Sequence, residues 1–482
     1  MSAAIVKLIE SSFIKFVFPF AFEAETFEER LAVVEQATWP KVGSVWRKRN
    51  FPAEEILPHV SRYLNPPDGT TATAAVWRLE SAALCDEQGL AAGAEDPLAR
   101  WSLRVRKDAL PFRILEAEFS LFRVGIGFLA ITTRPESAES ARWHDFLHFF
   151  RFAAGQRGVK LEARRRSSAN DESPPDGEPF FPAAAGGLAE HADGRGTVDD
   201  LLRGLLNSAQ LPGEVEPWWR DAFVAGRLVP FAALLVEDVA AEEVAPLLYR
   251  SRSFFHARQE VHLTDEDRTL GPPSIMPYAE NQWLLFSLEG TAFVAVDPPD
   301  QPFFRETLPQ NLRTQYYLLF LIALHQRFAL IELSDRVARH WLTQRPGRDS
   351  RSRDEQFRRM YESLLAFTAR GHFAQVAQRE RHHRCYRQWQ RIFEIESLYH
   401  EVSNEVHDMH DFLQARAAQR LEERINVLAA IFGVPGLIVG FLGINLYGVT
   451  AGAEGMNVWW AALGTAGVGL LAGSLALWLM RR

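Results

Sequence analysis

Apolar and polar residues follow three rhythms along this chain, and each predicts a different kind of element. In the first third, and again from about residue 228, apolar positions alternate or bunch in short aromatic and β-branched runs. Residues 112–133, FRILEAEFSLFRVGIGFLAITT, predict paired strands. The runs 228–239 and 283–296 predict more, with Glu289-Gly290 marking a hairpin turn in the second. The alternation around Phe13, Lys15 and Val17 predicts a strand near the N-terminus. Helical patches at 27–36 and 139–155 flank the strands. The second rhythm is helical. It starts after residue 308 with one amphipathic helix over 311–342, ended by Arg345-Pro346-Gly347, and it dominates from 354 onward, with Gly371 a candidate interruption.

The third rhythm is a heptad that runs into unbroken apolar sequence. Ile395, Tyr399, Val402, Val406, Met409 and Leu413 repeat at four, three, four, three and four residues. No Pro or Gly separates them from 425–442, which is apolar but for Asn426. A continuous helix over 380–442 would be about 90 Å long. Such a stripe needs other helices to cover it, and self-association is the economical source. A second apolar run, 458–480, has no ionisable side chain. Each run can cross a hydrocarbon core of about 30 Å, so the two form an antiparallel membrane hairpin.

The predicted organisation follows. Segments 1–162 and 197–308 are parts of one cytosolic α+β (α/β) body, their strands expected to share a sheet. Between them, 163–196 is rich in Arg, Ser, Pro, Gly and Ala and reads as a flexible insertion. Residues 309–424 are helical and end in a long stalk helix. The first span is 425–445, the outer loop 446–457, the second span 458–480 and the tail 481–482. Residues 316–324 are also apolar, but nine residues are too few to span. Lys7, Glu10 and Lys15 interrupt the N-terminal apolar stretch, which argues against a signal peptide.

Charge sets the orientation. Arg416, Arg420 and Arg424 precede the first span and Arg481 and Arg482 follow the second, whereas the loop has no Lys or Arg. Both termini are therefore expected in the cytoplasm, in a multi-pass protein of the cell inner membrane. The net charge of −8 gives no sign of nucleic-acid binding. Two cysteines, Cys85 and Cys385, lie far apart and outside any CxxC pattern, which fits a reducing compartment. No GxSxG, Walker A loop or HExxH is present, and no GxGxxG stands between a strand and a helix, so an enzyme is not expected.

The candidate chemistry lies at the membrane. Gly433, Gly436, Gly440 and Gly443 share one helix face, fit either for close packing or for lining a conduit. Pro435 removes a backbone donor inside the first span and frees the carbonyl of Ile431, so a kink or a hydrated carbonyl is expected. Asn445, repeated around a ring, makes a neutral collar of amide oxygens. Such a collar accepts hydrogen bonds from the waters of a divalent ion without stripping them, and it releases the ion again. Glu454 in the loop either adds a ring of negative charge at the outer mouth or is a plain exposed acid. Asn426 either faces the lumen or is solvated at the interface. His400, Asn404, His407 and Asp411 share a stalk face, which is either its wet side or a place for a divalent ion.

A large cytosolic α/β body, a long stalk helix entering the first span, a Gly-x-Asn at its outer end, a short loop, a second span and a basic C-terminus resemble the CorA superfamily of divalent cation transporters. The specific likeness covers 380–482. That family's signature is Tyr-Gly-Met-Asn; here Leu442-Gly443-Ile444-Asn445 stands in its place, so Gly443 and Asn445 match and Leu442 and Ile444 do not. The continuation Leu446-Tyr447-Gly448-Val449 looks like the zinc-transporter branch. A literal Gly455-Met456-Asn457 follows polar, small residues and is assigned to the outer loop.

The resemblance implies a homopentameric funnel around one pore, with Gly443, Ile444 and Asn445 as its selectivity ring and Asn426, Pro435, Gly436 and Gly440 lining it. The cargo would be Mg2+, Co2+, Ni2+ or Zn2+, with no resident cofactor required. Partners would be other copies of the chain, the lipid bilayer and the transported cation. One departure is the segment 336–391, with fourteen Arg against five acids, where the magnesium branch is acid-rich. The altered signature and this basic segment leave a second reading open: a non-conducting, membrane-anchored sensor or scaffold derived from the same family.

Overall fold

The sequence FIKFVFPFA of β1 (Phe13–Ala21) is buried at all nine positions, because layers cover both faces of the sheet it belongs to. In this computed structural model the described residues are 6–450 and 467. Exceptions are 40–42, 45, 68, 80–98, 153–158, 166–193, 208–216, 223–225, 272, 343–357, 359, 360, 362, 363, 366, 369 and 370. The chain divides into two units. One comprises Met1–Arg345 and Glu362–Ser403; the other comprises Pro346–Tyr361 and Asn404–Arg482.

The first unit is a mixed α/β structure on one 14-stranded sheet. Its main strands in chain order are β1, β2 (Trp46–Arg49), β3 (Ala74–Leu79), β4 (Ala99–Val105), β5 (Asp108–Phe122), β6 (Ile126–Pro135), β7 (Val159–Arg165), β8 (Gly194–Gly196), β9 (Val229–Glu237), β10 (Ile275–Ala279), β11 (Gln282–Ser287) and β12 (Gly290–Val296). Their spatial order is β8-β7-β4-β5-β6-β1-β9-β12-β11-β10, with β2 and β3 paired off β5. Strands from both sides of 163–196 thus join one sheet, as the pattern predicts. The pairing β9–β12 is parallel; β1 pairs antiparallel with both β6 and β9. Pro19 sits beyond Val17↔Val229, the last β1–β9 pair, so its missing N–H costs no bond to β9.

Alternation along β1 sorts its side chains between two layers. Phe16 packs on Phe146 and Phe150 of α3 (Ser140–Phe150), at 5.9 and 4.5 Å between ring centroids. Phe18 and Phe20 meet Trp219 and Trp218 edge-on. Helices α1 (Phe27–Gln36), α4 (Val198–Asn207) and α5 (Ala241–Ser253) also put buried side chains into this core. The opposite face is covered by a helical run that opens with π-helical turns at Phe303–Thr307 and Leu312–Tyr316 and continues as α6 (Tyr317–Leu342). There Phe320 packs on Phe231 and Phe328 on Phe128. Aromatic pairs of this kind add about 1 kcal/mol each beyond their burial. Tyr63 of α2 (Pro58–Leu64) stacks on Phe122 and bonds His325 at 3.2 Å on this side.

Among the described residues, Phe303–Arg339 is one helix long and apolar enough to cross a membrane, yet 89% of its apolar window is buried inside the fold. It is the core helix of the sheet, which agrees with reading 316–324 as no span.

Four expectations are corrected. The stretch 163–196 begins and ends in strands, since Ala163, Arg164 and Arg165 pair with β4 and Ala163 also pairs with Gly194 of β8. The stalk does not run unbroken from residue 380. Helix α7 (Glu380–Ile392) stops, Glu394 takes a left-handed φ of 54°, and α8 (Ile395–Thr450) starts afresh. Neither Gly nor Pro marks that break. The helix also continues past Asn445, so 446–450, expected in the outer loop, are helical. Finally, Ile395, Val402, Val406 and Met409 are already buried within a single chain, so this part of the heptad needs no second copy. The uncovered stripe lies further on, at Leu421, Ile425, Leu428 and Phe432, each more than half exposed and spaced four, three, four.

Candidate functional site

Helix α8 holds 56 residues and is therefore about 84 Å long. Its sequence sustains the helix through Gly433, Gly436 and Gly440 and through Pro435. A Cβ placed on any of these three glycines meets nothing within 4 Å, so among the described residues the glycine face is bare. Gly443, Ile444 and Asn445 are helical in backbone, and their side chains, like that of Pro435, lie outside the described residues. Asn426 is exposed. Glu454 and the stretch 458–480 expected as a second span lie outside the described residues too, apart from Gly467, which is helical.

The stalk stripe is loosely arranged. His407 Nε2 stands 3.7 Å from Asp411 Oδ2, one turn apart and both exposed, and His400 is exposed as well. Tyr361 stacks on His410 in the same unit, with centroids 4.8 Å apart. Among the described residues no group of three or more His, Cys, Asp or Glu could hold a metal ion.

A second constellation escaped the sequence reading. Lys15, on β1, is 1% exposed and points toward the helical run. Its ammonium lies 3.2 Å from Glu116 and 2.5 Å from Glu118 on β5, and 3.9 Å from the centre of the Tyr317 ring. Glu116 also takes an ion pair from Arg78 of β3 at 2.6 Å and a hydrogen bond from the Thr132 hydroxyl at 3.1 Å. A lone buried cation would cost several kcal/mol; two carboxylates and an aromatic face make this one tolerable. Burial pushes the Glu116 carboxyl up, but Lys15, Arg78 and Arg313 together outweigh it and hold the pKa down at about 2. Burial lowers the pKa of Arg313 and raises that of Tyr317.

Beside this cluster lies a cavity of about 460 Å3 between the sheet and the helical run. Arg49, Arg78 and Arg313 line it together with Glu116 and Glu118. The signal for it was present in Lys15 within a strand of aromatics and in Glu116 and Glu118 two residues apart on a buried strand.

No family model matches the chain, and no curated protein does. Among solved structures it is similar to the CorA magnesium transporter from Methanocaldococcus jannaschii. The two are 11% identical, the match covers 54% of this chain and 92% of that one, and the TM-score is 0.19. A likeness that slight leaves the function to be argued from this chain's own residues.

Proposed function

We propose that the chain is a homo-oligomeric membrane transporter that passes hydrated divalent cations along a conduit lined by α8. The observation that carries this reading is the helix itself: a single unbroken 56-residue element that bears the bare glycine face and ends beyond Gly443-Ile444-Asn445. Close approach of like helices suits such a face. The exposed stripe from Leu421 to Phe432 supports the same assembly, since an apolar seam this long is stable only against lipid or other helices.

In the proposed pore Asn445 is the outer collar. Its amide oxygen hydrogen-bonds the ion's waters, and the ion's reluctance to dehydrate keeps that shell intact. Five copies would place five such amides at one level, with Gly436 and Gly440 giving width below them. The test is uptake of Mg2+, Zn2+, Co2+ and Ni2+ into liposomes holding purified protein. Wild type is expected to conduct at least one of them, and Asn445→Ala to lose most of that flux while keeping its oligomeric mass. Undiminished flux in Asn445→Ala removes the collar from the mechanism. No flux of any ion from wild type leaves the anchored sensor or scaffold instead.

A further inference from the structure

The cavity of the α/β unit has a chemistry unrelated to cation transport. Its two acids are engaged: Glu116 by Lys15, Arg78 and Thr132, and Glu118 by Lys15. Its arginines are not all so engaged. Arg313 acts on Glu116 through space but, among the described residues, makes no ion pair within 4.0 Å. Its Nε is buried without an acceptor, and its guanidinium rests over the Phe13 ring at 5.0 Å. Arg49 stands exposed at the rim. Three arginines and Lys15 against two glutamates leave a formal surplus of two positive charges around the space. A buried guanidinium N–H without an acceptor is costly, and a negative group entering the cavity would relieve it.

The rest of the lining is mixed, with Asn50, Ser120, Gln310 and Thr314 beside apolar walls. Phe51 and Pro52 form one side, and Leu318 and Leu321 of α6 form another. The volume falls within the roughly 300–1,000 Å3 of small-molecule sites, and apolar walls beside convergent polar groups suit a ligand with both an apolar body and a charged end. An inorganic ion alone would leave most of this surface unfilled.

We propose that this cavity binds a small organic anion, a carboxylate or phosphate carried on a flat apolar body, and that Arg313 holds its charged end. Arg49 closes over the anion from the rim, and the body lies along Phe51 and the α6 leucines. The site requires only the fold of the α/β unit, so it stands or falls apart from the transport reading.

The test is isothermal titration calorimetry on full-length protein in detergent with four probes. Phenyl phosphate and benzoate carry both features and distinguish the two anion chemistries. Inorganic phosphate lacks the body and phenol lacks the charge. At least one of the first two is expected to bind about tenfold more tightly than inorganic phosphate and phenol. Arg313→Gln is expected to weaken it about tenfold or more, in line with loss of a charge-assisted bond. Arg49→Gln, at an exposed position, is expected to weaken it severalfold. Arg258→Gln, at an 85% exposed arginine outside the cavity lining, is expected to change nothing. Phenol binding as tightly as phenyl phosphate and benzoate overturns the proposal. So does the absence of heat from both organic anions at about 10 mM, or unchanged affinity in both Arg313→Gln and Arg49→Gln.

Discussion

Neutralising Glu116 tests the charge cluster most directly, because its contribution depends on pH in a calculable way. The carboxyl is held at about 2 in the folded chain, against an ordinary value of 4.5. A folded pKa below the unfolded one gives stability that is fully present above pH 4.5 and is lost as pH falls toward 2. At about 1.4 kcal/mol per pH unit, the whole difference is worth about 3 kcal/mol. By pH 3 about 2 kcal/mol of it has gone. Glu116→Gln keeps the shape and removes the charge. At pH 7 it should destabilise the α/β unit by about 3 kcal/mol, since Lys15 then keeps only Glu118 as a partner. The acid-side slope should flatten by the same amount. Urea unfolding of wild type and variant, followed by tryptophan fluorescence between pH 7 and pH 3, reads both effects. Curves that stay parallel across that range would refute the account, whatever their offset.

Other substitutions probe separate features. Glu394→Gly should stabilise by about 1 kcal/mol, because glycine adopts the left-handed conformation between α7 and α8 without a Cβ clash; a lowered thermal midpoint counts against strain there. Gly127→Val should destabilise by about 3 kcal/mol or more, since even a Cβ at that position meets the Phe20 ring and lies 2.9 Å from Leu121 Cδ2; chemical denaturation measures it. Ile425→Glu should lower the oligomeric mass in detergent without shifting the unfolding of the α/β unit, because Ile425 is exposed within one chain. An unchanged mass removes the stripe from assembly.

Much of the α/β unit was legible because its periods are clean. The hairpin 112–133 became β5 and β6, the patch 27–36 became α1 with the same bounds, and 283–296 became β11 and β12 around Glu289. What the pattern could not reveal depends on three-dimensional partners. The alternation at Phe13, Lys15 and Val17 predicts a strand but not the burial of Lys15; the carboxylates of β5 that make it tolerable lie a hundred positions later. The break at Glu394 carries no Gly or Pro, and the parallel join of β9 to β12 leaves no local trace. In α8 the spacing of Gly433, Gly436 and Gly440 falls within one continuous helix. The pattern put the helix end too early, because an asparagine in apolar sequence resembles a terminus whether or not the backbone stops there.

The place of β1 has a consequence for synthesis. Residues 13–21 are made well before one of their neighbours, β9, which lies more than two hundred residues downstream. Until 229–237 have left the ribosome, the nascent sheet presents a bare, phenylalanine-rich border to its surroundings. Such long-range closure is slow and exposes the chain to mispairing. Translation that stalls before that point should therefore yield aggregates rather than a smaller folded fragment, and chaperone dependence should end abruptly once the ninth strand is available.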